Sequence, residues 1–187
     1  MLGGIFTGGK SRRMGGRPKG LLAAPDTGEA LVVRAVRVMR EAGLVPVLVG
    51  DASPYRALVQ GVDEIADDPV GIGPLGGLSA LVARGGGGPV VAVACDMPWV
   101  SVDALRALAE HPSQAPVVAA RRAERAPWEP FFARYDGARV APVLRALIAD
   151  GQRSFQRLFA ALAVEAIDLG DARVVTDWDT PEDVERC

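Results

Sequence analysis

A carboxylate set directly behind a very apolar run is the first feature of this sequence that could do chemistry. Pro89–Ala94 (PVVAVA) reads as a buried central strand, and Cys95-Asp96-Met97-Pro98 follows it. An Asp at the C-terminal end of such a strand reaches the crevice where open α/β sheets collect ligands. Its oxygens suit Mg²⁺, which usually keeps waters and bridges to substrate phosphates. The second feature is opposite in charge. Thr7–Lys19 carries Gly8, Gly9, Gly15 and Gly16 among Lys10, Arg12, Arg13, Arg17 and Lys19. Glycines let backbone N–H groups come close to an anion, and the cations offset its charge. Together the two features suggest that a polyphosphate is handled with a divalent cation.

Further residues extend that chemistry. Asp67 precedes Gly73-Pro74-Leu75-Gly76-Gly77-Leu78. A carboxylate there can accept two N–H bonds from the Watson–Crick edge of guanine, a pair of donors that cytosine lacks. Asp68 is adjacent and offers a second carboxylate. Arg121, Arg122, Arg125 and Arg153 supply cations for a second anionic substrate. Cys95 reads as a small apolar residue ending a core strand, and Met97 and Trp99 read as packing residues. His111 is the single histidine, so a multi-histidine metal site is excluded and a Ser-His-Asp triad is disfavoured. It reads as a solvated residue at a helix end.

Gly4–Ser11 (GIFTGGKS) matches the G-x-x-x-x-G-K-[ST] phosphate loop letter for letter. The surroundings oppose that reading. A Walker loop follows a buried strand, and only Met1–Gly3 precede Gly4. It must also run into a helix, whereas RRMGGRPK follows, with two glycines and a proline.

The elements that must position these groups alternate along the chain. Leu2–Phe6 is a first strand, Ala30–Ala42 a helix, Val45–Val49 a strand and Pro54–Gln60 a short helix capped by Ser53. Val62–Ala66 is a strand, Leu75–Ala83 a helix, and Ser101 caps a helix over Val102–Glu110. Pro116–Ala120 and Glu129–Tyr135 are strands, the latter antiparallel. Helices over Ala138–Ala149 and Ser154–Ala163, a strand at Val164–Leu169 and a turn of helix at Thr180–Glu185 complete the order. Such alternation implies a mostly parallel, Rossmann-like sheet with helices on both faces, a three-layer α/β fold. A chain of 187 residues suits one domain of this kind, with residues 1–110 as a nucleotide-binding half and 111–187 as an acceptor-binding half.

Composition narrows the function. The net charge is −2 and the pI about 5.5, unlike a general nucleic-acid binder. No apolar run approaches the roughly 18 residues of a membrane span. The start, MLGGIF, lacks a secretory pattern, and the two cysteines have no metal-ligand spacing, so a reducing cytoplasm is expected.

Thr7-Gly8-Gly9-Lys10-Ser11-Arg12-Arg13-Met14-Gly15 with Lys19-Gly20-Leu21-Leu22 resembles the A-G-G-x-S-x-R-M-G-x-x-K-x-L-L signature of the molybdenum cofactor guanylyltransferases, the MobA family, with Thr7 in place of the usual Ala. Asp67 with Gly73-Pro74-Leu75 resembles its D…G-P-L-x-G segment, and Cys95–Pro98 its C-D-x-P motif. Gly151–Phe155 is similar to a G-x-R-S segment. Asp177-Trp178-Asp179-Thr180-Pro181-Glu182-Asp183 resembles an N-x-N-T-P-E-D ending, with both asparagines replaced by Asp. The likeness spans residues 2 to about 185.

The resemblance implies a nucleotide-diphospho-sugar transferase-like fold and transfer of GMP from GTP to the phosphate of molybdopterin. It implies Arg13, Lys19 and Asp96 as catalytic residues, and Asp96 and Asp179 as Mg²⁺ ligands. Thr7, Gly8, Gly9, Arg13, Lys19, Asp67, Gly73, Pro74 and Leu75 would bind the nucleotide, and Arg153, Ser154 and Asp177 the acceptor. The implied partners are GTP and molybdopterin, with transient contacts to proteins that deliver the cofactor or receive it, and neither nucleic acid nor membrane. The D-x-D-T-P ending also resembles cytidylyltransferases, so transfer of CMP stays open. A P-loop NTPase and a non-catalytic GTP-binding protein are the readings from other classes.

Overall fold

The computed structural model describes residues 1–8, 18–178 and 180–185. Its strands are β1 (Leu2–Phe6), β2 (Val45–Val49), β3 (Asp63–Ile65), β4 (Pro89–Ala94), β5 (Val117–Arg121), β6 (Trp128–Asp136) and β7 (Val164–Ala166). Its α-helices are α1 (Leu31–Glu41), α2 (Pro74–Arg84), α3 (Val102–Ala109), α4 (Gly137–Ala149), α5 (Phe155–Ala160) and α6 (Pro181–Glu185). Two 3₁₀ turns, Lys19–Leu21 and Ala172–Val175, flank the site described below.

The strands form one seven-stranded sheet in the order β3-β2-β1-β4-β6-β5-β7. β6 pairs antiparallel with both β4 and β5, while the other pairings are parallel. The α/β expectation and the antiparallel sense of β6 are thus borne out. The strand order reverses at β1, whose neighbours are β2 on one side and β4 on the other. Phe6 is level with Ala94 across that central pair, so the chain leaves both strands at the same height. Ligands of open α/β sheets bind at such a point.

The period of two along each strand divides the core into two layers. Ile5, Leu48, Val91, Val93, Val118 and Phe132 face the layer that holds α1 and α3. Phe6, Val47, Val49, Val90, Ala92, Val117, Ala119 and Tyr135 face the layer that holds α2, α4 and α5. β1 must lie under helices on both faces, and its glycines make room. A Cβ on Gly3 would stand 2.7 Å from the Met39 sulfur on α1, and one on Gly4 2.5 Å from Leu81 Cδ2 on α2. Gly4 therefore lies within β1 and packs against a helix, which removes it from any phosphate loop.

Local chemistry sets most boundaries as expected. Ser101 Oγ accepts the Ala104 N–H at 3.2 Å and so caps α3. Gly73, with φ +76°, turns the chain into α2, and Pro74 opens that helix. At the last helix the capping runs in the reverse sense: Asp183 Oδ2 accepts the Thr180 N–H at 2.8 Å and its hydroxyl at 3.0 Å.

Two expectations fail. Residues 54–60 form turns and no helix. Asp51 Oδ1 takes both the Ser53 N–H (3.0 Å) and its hydroxyl (2.6 Å), so Ser53 caps nothing, while Tyr55, 2% exposed, is drawn into the core. The last strand stops at Ala166 rather than Leu169 and pairs along one side with β5.

Candidate active site

β1 and β4 deliver their C-terminal neighbours to one cavity of about 220 Å³, lined by Phe6, Thr7, Gly8, Lys19, Tyr55, Ala94, Cys95, Asp96, Met97, Glu129, Phe131 and Asp177. The Cys95 N–H donates to the Phe6 carbonyl at 3.1 Å, which fixes the height of Asp96 beside the first loop. Thr7 is buried and ties the start of that loop to β2, since its N–H and its hydroxyl each reach the Val49 carbonyl at 2.9 Å.

Lys19 enters from the far end of the same loop. Its Nζ meets Asp96 Oδ2 at 2.7 Å, with the two side chains 16% and 13% exposed. Burial pushes the Asp96 carboxyl above its ordinary range, Lys19 holds it down, and the nearby Asp177 pushes it up again. The Cys95 thiol is fully buried and pushed up to about 12 by desolvation, which suits the packing role read from the sequence and no nucleophilic one. Met97 is buried as well, and the Arg173 guanidinium lies 5.5 Å from the centre of the Trp99 ring.

The C-terminal segment closes the opposite side. Trp178, 2% exposed, is buried with Leu22, Ala24 and Leu31, and its N–H donates to the Asp96 carbonyl at 3.0 Å. This anchor places Asp177 in the cavity wall. Glu129 reaches the same wall from β6. Burial and Asp177 push the Glu129 carboxyl up, against the pull of Arg122.

Asp67 stands just beyond the cavity, at the end of β3. A Cβ on Gly50 would lie 3.3 Å from the Gly8 nitrogen and 3.6 Å from Asp67 Oδ1, so the first loop and Asp67 border the same glycine. A Cβ on Gly77 would lie 2.8 Å from the Phe6 ring and 3.1 Å from Asp67 Oδ1. The glycine at 77 thus leaves the space that Asp67 occupies. Desolvation raises the Asp67 carboxyl above its ordinary range.

This arrangement can cradle a charged ligand at the β1–β4 junction and present carboxylates to it. Residues 3–166 match the model of the MobA-like NTP transferase domain. The chain belongs to that family. Among its relatives, the probable molybdenum cofactor guanylyltransferase of Opitutus terrae is 34% identical, covering 100% of this chain and 94% of that protein. The molybdenum cofactor guanylyltransferase of Pseudomonas putida strain GB-1 is 35% identical, over 95% and 92%. Among solved structures, molybdopterin-guanine dinucleotide biosynthesis protein A of Archaeoglobus fulgidus superposes with a TM-score of 0.77 at 21% identity, covering 100% and 96% of the two chains. That last likeness shows the shared fold.

In this MobA-like NTP transferase, the sequence-selected Thr7, Gly8, Lys19, Asp96 and Asp177 meet in one cavity. Asp67 lies outside that lining and borders Gly76 and Gly77, and this shelf includes Gly73 and Pro74 at the start of α2. Leu75 is fully buried in the α2 layer, where it packs. Arg153 is outside the cavity lining and donates to the Gly71 carbonyl at 3.1 Å, bracing the shelf. Ser154 precedes α5 and makes no side-chain capping bond. Phe155 follows, and its ring packs on Phe131, which packs on Phe6. The Arg121 guanidinium stacks 4.8 Å from the centre of the Trp128 ring. Gly9, Arg13 and Asp179 lie outside the described residues.

Glu129, Tyr55 and Phe131 line the cavity and were not selected from the sequence. Glu129 and Phe131 sit in a strand whose antiparallel course alone brings them beside β4. Tyr55 sits where a helix was expected.

The donor set can be tested against the Mg²⁺ that the resemblance implies. Three carboxylates, Asp96, Glu129 and Asp177, share the cavity with Lys19. Among the described residues they form no preassembled cluster of metal ligands. Hard oxygen donors facing a phosphate-sized space fit a metal held partly by water and substrate. No helix among the described residues is long and apolar enough to cross a membrane.

Proposed function

We propose that this chain transfers GMP from GTP to the terminal phosphate of molybdopterin, with release of pyrophosphate. The observation that carries the proposal is the meeting of Thr7, Gly8, Lys19 and Asp96 at the β1–β4 switch point. The curated names of relatives that span the whole chain support the choice of substrates.

An acceptor phosphate oxygen bonds to the α-phosphorus of GTP, and the bond from that phosphorus to the bridging oxygen of pyrophosphate breaks. A phosphate monoester has its second pKa near 6, so it attacks as a dianion without a general base. That agrees with a cavity that lacks histidine. The protein's task is then positioning and charge neutralisation. Asp96 would hold Mg²⁺, with Asp179 as a second ligand. The bound metal would offset phosphate charge. Lys19 would exchange its contact with Asp96 for the triphosphate, and Arg13 would join it. The Gly8–Gly9 backbone would approach the nucleotide closely, with Thr7 fixing the entry of that loop. Asp67, on the shelf with Gly73 and Pro74, would accept two N–H bonds from guanine. Residues 111–187, with Asp177, Ser154 and Arg153, would form the acceptor side. GTP and molybdopterin are the small-molecule partners, and the work is expected in the cytoplasm.

Calorimetry of GTP, CTP and ATP in Mg²⁺, on wild type and Asp96→Ala, tests the proposal. GTP preference that weakens in the variant supports it. CTP preference would transfer the chain to the cytidylyl branch, and binding of no nucleotide would sink it.

A further inference from the structure

Of the three carboxylates in the cavity wall, Glu129 belongs to none of the motifs. It is tied to Asp177 by one residue. Arg122 Nε stands 2.9 Å from Glu129 Oε1. An Arg122 terminal nitrogen donates to Asp177 Oδ1 at 2.6 Å and to the Val175 carbonyl at 3.2 Å. The guanidinium therefore holds the C-terminal segment at a carboxylate and at a backbone carbonyl, while Glu129 braces it on β6.

The second attachment of that segment is Trp178, through its buried ring and its bond to the Asp96 carbonyl. Asp177 stands between the two attachments. Each of its neighbours with acid character would drive it away, because Asp96 and Glu129 share the cavity and like charges repel. A planar fork that donates in several directions can hold two carboxylates and a carbonyl at once, and a lysine cannot reproduce that geometry. Arg122 follows β5 directly, past an irregular register between Ala119 and Arg121.

We infer that Arg122 is a positioning residue: braced by Glu129, it holds Asp177 in the cavity wall and acts on the acceptor side of the reaction through Asp177. This rests on the nucleotidyltransferase reading of the cavity. Three of the Arg122 contacts, through Nε and one terminal nitrogen, go to this protein's own oxygens.

The test is a double-mutant cycle of Arg122→Ala and Asp177→Asn, with Arg122→Lys and Glu129→Gln alongside. GTP affinity is read by calorimetry, molybdopterin affinity by anaerobic binding, and transfer by kcat and the acceptor KM. Loss of one charge-assisted bond should raise the acceptor dissociation constant and KM by roughly tenfold in Arg122→Ala. GTP affinity should stay within about twofold. The double variant should be no worse than Asp177→Asn alone. Arg122→Lys should recover only part of the loss, and Glu129→Gln should show a smaller loss of the same kind. Additive losses in the double variant would overturn the inference. So would a loss confined to GTP, or one that follows the melting temperature across the series. If wild type binds neither substrate, the function proposed above fails first. If wild type binds both and the cycle is additive, the positioning role alone fails.

Discussion

Two cation–carboxylate contacts face each other across the cavity, and they are built differently. Lys19 Nζ meets Asp96 Oδ2 at 2.7 Å, and the two side chains are 16% and 13% exposed. Arg122 is 47% exposed, and it holds Asp177, Glu129 and a backbone carbonyl together. A point charge on a flexible stem can leave its partner when a triphosphate arrives. A guanidinium committed to three acceptors is better suited to keep a shape than to exchange ligands. Under the function proposed above, Lys19 would be the charge that exchanges ligands and Arg122 the one that keeps Asp177 in place.

Asp96→Ala should separate the two sides most sharply. We expect transfer to fall by about a hundred- to a thousandfold, in line with the loss of a group that stabilises transition-state charge. Calorimetry should show weakened Mg²⁺-dependent GTP binding, with little change for molybdopterin. An equal loss for both substrates would break the comparison.

Lys19→Ala comes next. A charge-assisted bond to a phosphate is worth about tenfold or more in affinity, so the GTP dissociation constant should rise by roughly that factor. Lys19→Arg should recover part of it. If Lys19→Ala left GTP affinity intact, the pair would be structural on this side as well.

Asp67→Asn should relax base choice by roughly tenfold between GTP and ATP, as expected when one good pair of base contacts is lost. It should also change stability with a definite sign. Burial raises the folded-state pKa of Asp67 above its unfolded value. The ionised carboxylate therefore costs stability above the folded pKa, and that cost disappears as the pH falls through it. The variant should melt higher than wild type near neutral pH, with the gain shrinking towards acid. A gain that persists unchanged at acid pH would show that the charge is not its source.

The smallest effect on the fold is expected from Gly8→Ala. Among the described residues, nothing lies within 4 Å of a Cβ built on Gly8, so the melting temperature should hold while GTP binding weakens. Gly4→Ala is its counterpart, because the added carbon would stand 2.5 Å from Leu81 Cδ2. It should cost about 1–3 kcal/mol of stability in a urea titration. Thermal loss in Gly8→Ala would show that the loop packs more tightly than its surroundings indicate.

The sequence alone was enough for whatever depends on local pattern. β-branched runs bounded by Gly and Pro marked the strands at 2–6, 45–49 and 89–94, because burial on both faces of a central strand demands continuous apolar residues. Ser101 marked a helix start through chemistry confined to neighbouring residues, and the helix read from Leu75 begins one residue earlier, at Pro74. Asp96 was legible because it ends the most apolar of those runs. The turns at 54–60 were not, since burial of Tyr55 and the bonds of Asp51 override a helical pattern that is equally good locally. Nor was Glu129, which reaches the site because β6 runs antiparallel between β4 and β5. The pairing of Arg122 with Asp177 joins residues 55 apart in the chain, and burial of Val175 and Trp178 on either side of Asp177 brings them within reach. Periodicity and capping are local energies written in adjacent residues. Which strand lies next to which, and hence which charges meet, is decided by the closure of the whole sheet around its two layers of core.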